Sequence, residues 1–368
     1  MNKLVFANLL HRPLRSIISV FAVAIEVIMI LSIVGVFMGM LNDQRQRTNG
    51  IGADLMMMGS NASIFNSLSS ASMPVTDAIA LRRLPHVAVV SPAIQHTDIN
   101  GSIEIIWGID YPSFDALKPF VFDSGGPFQG PNDVIIDSIL AEAHHPRYRA
   151  GDTIQVLGHP FRISGIVEPG KGGRTLLPLD TLAGLMGVDG KASVFYIKCD
   201  QPSDENEVTK EIHATPGLGN NTVLTIDDWL NQMTPDHLPA FNIAINVITG
   251  IAVIIGFLVI FQAMYTAVLE RTREIGILKS MGASKPAIMS VVLRECAVLA
   301  ACGVALGIAG TYVVRTLIGH LYPTQHFEIT LHWVALGGAI AFAGAICGAL
   351  YPAWMAARKD PIDALAYE

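Results

Sequence analysis

Four stretches of this chain are too long and too apolar to lie in water as separate helices. They are Ile17 to Met40 (interrupted by Glu26), Phe241 to Val268, about Ile288 to Ile318, and Trp333 to Tyr351. Each approaches or exceeds the roughly 20 mostly apolar residues that a bilayer-spanning helix needs. Irregular backbone cannot face lipid, so each reads as a helix. Composition agrees: 51% of the 368 residues are hydrophobic and only 15% are charged, against about 25% charged in ordinary soluble domains.

Lys and Arg near the ends set the expected orientation. Lys3, Arg12 and Arg15 precede the first stretch. Arg271, Arg273, Lys279 and Lys285 lie between the second and third, and Arg358 and Lys359 follow the fourth. The connection from His320 to His332 has neither Lys nor Arg. Both termini and the 270–287 loop are therefore expected in the cytoplasm, with 41–240 and 320–332 outside. The first stretch is too long for a signal-peptide core and no small-x-small site follows Met40, so it reads as an uncleaved anchor.

Segment 41–240 holds 13 Lys and Arg against 23 Asp and Glu, while the rest of the chain holds 11 against 8. An acidic exported domain on a basic-flanked anchor fits this split. Nucleic-acid binding does not, because it needs a basic surface. Runs at 87–94, 102–110, 133–137, 153–158, 161–169 and 193–199 read as strands between turn signals. Residues 75–84 and 179–187 have helical spacing, with Thr76 or Asp77 and Asp180 as candidate caps. An α+β domain of about 200 residues is expected, large enough for its own core.

Within it, GIVEPGKGGRT (165–175) has the G-x-x-x-x-G-K spacing of a phosphate loop at Gly165, Gly170 and Lys171. The Ser or Thr that would hold Mg²⁺ is Gly172, and no helical pattern opens at the loop, so the ATP-site reading fails. A hairpin connection is expected instead. The four cysteines imply no disulfide framework, and no metal-binding or catalytic spacing appears.

Residues 270–287, ERTREIGILKSMGASKPA, resemble the loop signature of MacB/FtsX-type (type VII) ABC transporter permeases. Arg271, Arg273, Glu274, Ile275, Gly276, Ile277, Lys279, Met281, Gly282, Ala283 and Ser284 match it. YPAWMAARKDPIDAL, at the end of the chain, is similar to the family's terminal motif through Pro352, Ala353, Ala356, Ala357, Pro361 and Leu365. ANLLHRPLRSIIS (7–19), LPHVAVVSP (84–92) and FRISGIVEPGKGGRTLLPLDT (161–181) also resemble family elements, so the likeness covers the whole chain.

The fold expected is an α-helical membrane protein with four transmembrane helices and an α+β extracytoplasmic domain inserted between helices 1 and 2. The segments are a cytoplasmic interfacial helix (1–16), helix 1 (17–40), the outer domain (41–240), helix 2 (241–268), a coupling loop (269–287), helix 3 (288–319), an outer loop (320–332), helix 4 (333–351) and a cytoplasmic tail (352–368). The loop itself patterns as a short amphipathic helix. Gly282 is placed for a left-handed C-cap and Ser284 to cap the next helix. Lying on lipid is one reading of such a helix. The resemblance implies another: that the helix docks in a groove of an ATPase subunit. Ile275, Ile277, Leu278 and Met281 would then face that groove or the bundle, with Arg271, Arg273, Glu274 and Lys279 at its rim.

Three GxxxG pairs, Gly35–Gly39, Gly303–Gly307 and Gly344–Gly348, let helices approach closely, within one chain or between two. Glu26, about one-third into its span, is a candidate functional residue or a partner for a neighbouring Arg near the cytoplasmic edge. Arg294 and Glu295 begin the third span, where snorkelling suffices.

The resemblance implies a permease subunit in a bacterial inner membrane, with no catalytic residues or bound cofactor of its own. A partner ATPase subunit would hold ATP and Mg. A second permease copy or paralogue is expected, with a periplasmic adaptor as a further candidate partner, and surrounding lipid. ATP-driven closure would move the outer domains through the first two helices as levers, driving export or extraction of a hydrophobic or periplasmic substrate. FtsX-like signalling to a cell-wall hydrolase and a membrane-anchored sensor are the alternatives. A membrane hydrolase lacks any supporting signature.

Overall fold

The computed structural model describes residues 13–60, 72–98, 104–234 and 237–359. Residues 1–12 of the N-terminal interfacial helix, and Pro361 and Leu365 of the terminal motif, lie outside them. The chain divides into two compact units. A helical unit comprises the chain through Met40, Pro239–Leu321 and the chain from Gln325, and a sheet unit comprises Leu41–Leu238 with Tyr322–Thr324.

Among the described residues, four helices are long and apolar enough to cross a membrane. They are α1 (Pro13–Asn49), α8 (Pro239–Glu270), α10 (Lys285–Leu321) and α11 (Leu331–Arg358). The last turns of α1, from residue 41, belong to the sheet unit. The helical unit's core joins Val23, Val27 and Leu31 of α1 to Ile260 and Met264 of α8. It continues through Cys296 and Leu299 of α10 to Ala341, Ala345, Ala349 and Ala353 of α11. The four alanines recur every fourth residue, so α11 presents a ridge without bulk. That lets neighbouring backbones close in where no hydrophobic drive separates helix from lipid. Ile254, Ile255 and Leu258 of α8 remain outward and exposed, as residues facing acyl chains should.

The sheet unit follows α1 with β1 (Leu55–Met58), β2 (Met73–Pro74), α2 (Asp77–Leu81), β3 (Val87–Asp98), β4 (Glu104–Ile109), α3 (Tyr111–Leu117), β5 (Phe122–Gly125) and β6 (Asp133–Asp137). After these come α4 (Ser138–Ala143), β7 (Thr153–Val156), β8 (His159–Val167), β9 (Thr175–Pro178), α5 (Leu179–Met186), β10 (Lys191–Ala192) and β11 (Val194–Cys199). It ends with α6 (Glu205–Ala214), β12 (Thr222–Thr225) and α7 (Ile226–Gln232). Among the described residues, ten strands form one mixed sheet in the order β12-β1-β11-β3-β4-β9-β6-β8-β5, with β7 on β8. Among the described residues, only β4–β9 and β6–β8 pair in parallel.

Side chains alternate between two cores, as the pleat demands. Met56 and Met58 of β1 join Trp107, Phe114 and Tyr196 on one face. Leu55 and Met57 join Phe195 and Ile197 on the other. Trp107 stacks on Tyr196 with ring centres 5.8 Å apart.

Three local expectations are corrected. Residues 165–175 do not close a hairpin, because β6 lies between β8 and β9 and pairs with both. Val134, Ile135 and Ile136 of β6 are completely buried, so this strand takes an interior place and the glycine loop passes over it. Neither Thr76 nor Asp77 caps α2 through its side chain. Thr76 is the N-cap in helical backbone, φ −60° and ψ −21°, which does not turn its hydroxyl back to the first turn. Asp180 is the second residue of α5, in its first turn, where its charge favours the helix dipole, and Pro178 is the N-cap.

Candidate functional site

The sequence points to the connection between the second and third long helices, and the structure makes it a tight elbow. Helix α8 ends at Glu270. After the single residue Arg271, helix α9 spans Thr272–Ser280, and α10 begins at Lys285. Gly282 has φ +95°, the left-handed C-terminal turn that glycine enters without a Cβ penalty. Ser284 is the residue before α10, and its carbonyl accepts from Ile288 N at 3.2 Å.

The nine-residue helix has two distinct faces. Thr272, Ile275 and Gly276 are buried in the helical unit. Arg273, Glu274, Ile277, Ser280 and Met281 are exposed, Ile277 by 43% and Met281 by 71%. The apolar set expected along this helix therefore divides. Ile275 is core, Leu278 is half-buried, and Ile277 and Met281 face outward. The charged set divides too. Arg273 and Glu274 are free of the core, whereas Arg271 and Lys279 anchor the elbow. Lys279 Nζ donates to the carbonyl of Ala357 (3.0 Å) and to that of Lys359 at the end of α11.

Arg271 donates to Glu295 at 3.0 Å, and Glu295 also accepts from Arg15 of α1 at 3.3 Å. Arg15 in turn meets Glu270 at 3.4 Å. Glu295 is only 3% exposed. Sequence reasoning left Glu295 to snorkelling. The signal was present, since Glu26 and Glu295 are the only acidic residues within the four apolar stretches. A buried carboxylate is retained only when its charge is met, and two guanidiniums meet this one. Between α8, α9 and α10 lies a cavity of about 190 Å³, walled by Met264, Val268, Ile275, Leu278 and Ile288 with Arg271, Glu274 and Glu295 at its polar side.

The glycine pairs pack within the chain. A Cβ at Gly303 would lie 2.6 Å from Val23 Cβ, and one at Gly307 2.6 Å from Val27 Cβ, so this pair seats α10 on α1. Gly348 faces the Phe257 carbonyl of α8, and Gly344 faces Val253. Gly35 and Gly39 receive Phe327 and the His326 carbonyl, and Gly35 O accepts from Glu328 N at 3.0 Å.

Glu26 is 4% exposed, and neither carboxylate oxygen has a hydrogen-bond partner among the described residues. Its carboxyl lies against Gly256 of α8 and near Gly344 of α11, each 14 residues from its helix's end at Glu270 or Arg358. Fourteen residues of helix span about 21 Å. Glu26 therefore sits at mid-helix depth and not near a basic edge, and no Arg among the described residues bonds to it. Its room comes from the missing side chains at 256 and 344.

The lysine of the near-miss phosphate loop is turned into the sheet unit. Lys171 is 9% exposed and donates to the carbonyls of Phe114 (3.0 Å) and Lys118, with its ammonium 3.9 Å from the Phe120 ring centre. Burial lowers its pKa to about 8 from the ordinary 10.5. Its tip is spent on backbone oxygens and aromatic faces. Among the described residues no cluster of His, Cys, Asp or Glu has a metal-binding arrangement.

These features define a multi-pass membrane protein with a sheet domain between its first two spans and a short helix held across the second and third. Two family profiles match it: a MacB-like periplasmic core domain over residues 16–215 and an FtsX-like permease C-terminal region over 246–361. The chain belongs to this MacB/FtsX-type permease family. It is 26% identical over 389 residues to the macrolide export ATP-binding/permease protein MacB of Shewanella sp. (strain W3-18-1), covering 97% of this chain but 59% of that protein's length. It is 23% identical to the ABC transporter permease YknZ of Bacillus subtilis (strain 168), covering 100% of this chain and 98% of that one. Among solved structures, the periplasmic region of MacB from Actinobacillus actinomycetemcomitans aligns over 50% of the chain at 15% identity and a TM-score of 0.39.

Proposed function

We propose that this chain is the permease subunit of an ABC transporter whose power stroke enters at the elbow. Helix α9 docks in a groove of a nucleotide-binding subunit that holds ATP and Mg²⁺. The elbow and both termini lie in the cytoplasm, and residues 41–240 lie outside a bacterial inner membrane. Two such permeases, copies or paralogues, work with two ATPase subunits. Closure of the ATPases displaces α9, and the first two long helices convey the displacement outward to drive export or extraction of a hydrophobic or periplasmic substrate.

One observation carries this reading. Arg271–Glu295 and Lys279 fasten α9 to the helical unit, while Ile277 and Met281 point away from it beside Arg273 and Glu274. An apolar pair with a polar rim, on a helix whose other face is locked, is the form of a docking surface. A helix resting on lipid needs no such anchoring, and its outward face would carry only bilayer contacts. Separation of the two readings is direct. An Ile277→Asp/Met281→Asp chain should insert and fold in membranes yet lose at least about tenfold of the ATPase subunit that co-purifies with wild type in mild detergent. Undiminished co-purification would refute docking through this face.

A further inference from the structure

The stretch GIVEPGKGGRT plays no part in the elbow, and the sheet unit gives it another task. Within that unit, the last turns of α1 lie against the loop that joins β8 to β9. Gly172 N donates to the Arg47 carbonyl at 3.1 Å, and Arg47 Nη1 donates back to the Gly172 carbonyl at 3.2 Å. Arg47 Nη2 reaches Asp137 at the end of β6 (3.0 Å), and Arg47 Nε reaches Asp43 one turn earlier on α1 (2.9 Å). Arg174, the last residue before β9, donates to that same Asp43 carboxylate and to the Thr324 carbonyl, both at 2.9 Å. A Cβ at Gly50 would overlap the Gly170 carbonyl, so the chain just past α1 fits this loop only as glycine. Gly170 and Gly172 have φ of 103° and 65°, the turns that bring those backbone groups into place.

Two arginines and two aspartates thus form a neutral set, with Arg47 and Asp137 at 4% and 2% exposure. Removing one member of such a set strands a buried charge, which makes the arrangement stiff as well as specific. A glycine- or serine-rich linker at this place would absorb a displacement.

We propose that loop 168–174 is a socket that grips the end of the first helix, with Arg47 as the positioning residue, so that any displacement of α1 is delivered to β6 and β9. The purpose of the socket rests on the permease reading; its rigidity does not. The left-handed turns at Gly170 and Gly172 present the loop's backbone to the helix end, whereas Gly165 and Gly173 make room for Phe122 and Trp107.

Asp137→Asn isolates the charge. Asp137 Oδ1 caps α4 by accepting from Leu140 N at 2.8 Å, and Asn caps as well as Asp, so the cap survives while the partner of Arg47 is neutralised. Glu142→Gln, in an exposed pair with Arg147, is the control. The full chain is placed in lipid nanodiscs with its ATPase subunit. A fluorophore sits at Ile79→Cys, 54% exposed, in a Cys302→Ser/Cys347→Ser background that removes the two exposed native thiols.

Two readouts follow: amide exchange across 43–50, and the ATP-driven fluorescence change per ATP hydrolysed. Asp137→Asn should speed exchange across 43–50 by about tenfold or more while leaving 20–35 unchanged. It should also at least roughly halve the ATP-driven signal, with Glu142→Gln altering neither. Unchanged exchange overturns the socket, and accelerated exchange with an undiminished signal overturns its role in transmission. A wild-type chain with no ATP-driven signal overturns the permease reading instead, and the exchange result then decides the socket by itself.

Discussion

A single methyl group at Gly307 should push two membrane helices apart. Its Cβ would lie 2.6 Å from Val27 Cβ and 2.8 Å from the Ala24 carbonyl, both fixed to the backbone of α1. Comfortable carbon–carbon contact is about 3.5–4.0 Å, so α1 and α10 must separate by about 1 Å locally. Overpacking of this kind costs about 1–3 kcal/mol. The comparison that isolates the argument is Gly310→Ala, whose Cβ would also meet an atom at 2.6 Å, but there the neighbour is Ile28 Cδ1 at the end of a flexible side chain. A rotamer change relieves it, and the cost should stay below about 1 kcal/mol. Gly319→Ala meets nothing within 4 Å and should hold or raise stability, since glycine inside a helix loses up to about 1 kcal/mol against alanine. Thermal unfolding of the detergent-purified chain should rank Gly319→Ala at or above wild type, Gly310→Ala near it, and Gly307→Ala lower by several degrees, at roughly 2–4 °C per kcal/mol for a unit of this size. A Gly307→Ala chain as stable as Gly310→Ala would refute the reasoning.

Glu295→Gln should remove about 2–4 kcal/mol from the helical unit, because Arg271 and Arg15 both lose their buried counter-charge. Exchange across 271–281 should rise with it, and Arg271→Gln, which leaves Arg15 on Glu295, should do less in the same unfolding assay. Gly256→Ala should be mildly destabilising, because its Cβ would overlap the Glu26 carboxyl, the end of a flexible side chain that must turn aside, and Glu26→Ala should recover the loss in a double-mutant cycle. Lys171 sheds its proton near pH 8 when folded and near 10.5 when unfolded, so the unfolded state binds more protons across that window. Stability of the sheet unit should therefore rise with pH between those values, by on the order of 1–3 kcal/mol, and Lys171→Met should flatten the rise in denaturant titrations.

Apolar length and charge bias made the long helices legible, since a spanning helix closes its own hydrogen bonds and needs little from tertiary context. Strands such as Thr153–Val156 carried their alternation openly. Others did not. LMMM at 55–58 is buried on both faces and has no polar beat, and TLLP at 175–178 is four residues long, so the sheet and not the sequence makes each a strand. At the elbow, residue types were readable but not their facing. Whether Ile277 or Ile275 turns inward depends on how α9 sits against α10, which local pattern leaves free. Glu295 and Arg15 are 280 positions apart, and Arg47 and Asp137 are 90 apart; their pairing is a product of the fold. Gly170 and Gly172 were visible, but the helix end they receive lies more than a hundred residues upstream.

The central claim is that this chain engages an ATPase through the exposed face of α9. The most direct measurement is the stoichiometry of nucleotide-binding subunit on the permease, purified together from membranes, for wild type and for Met281→Asp. The account predicts near-equimolar ATPase on wild type and a loss of at least about tenfold on Met281→Asp at unchanged permease yield and unfolding temperature. Equal ATPase on both, or ATP bound and hydrolysed by the wild-type chain with no partner present, would contradict it.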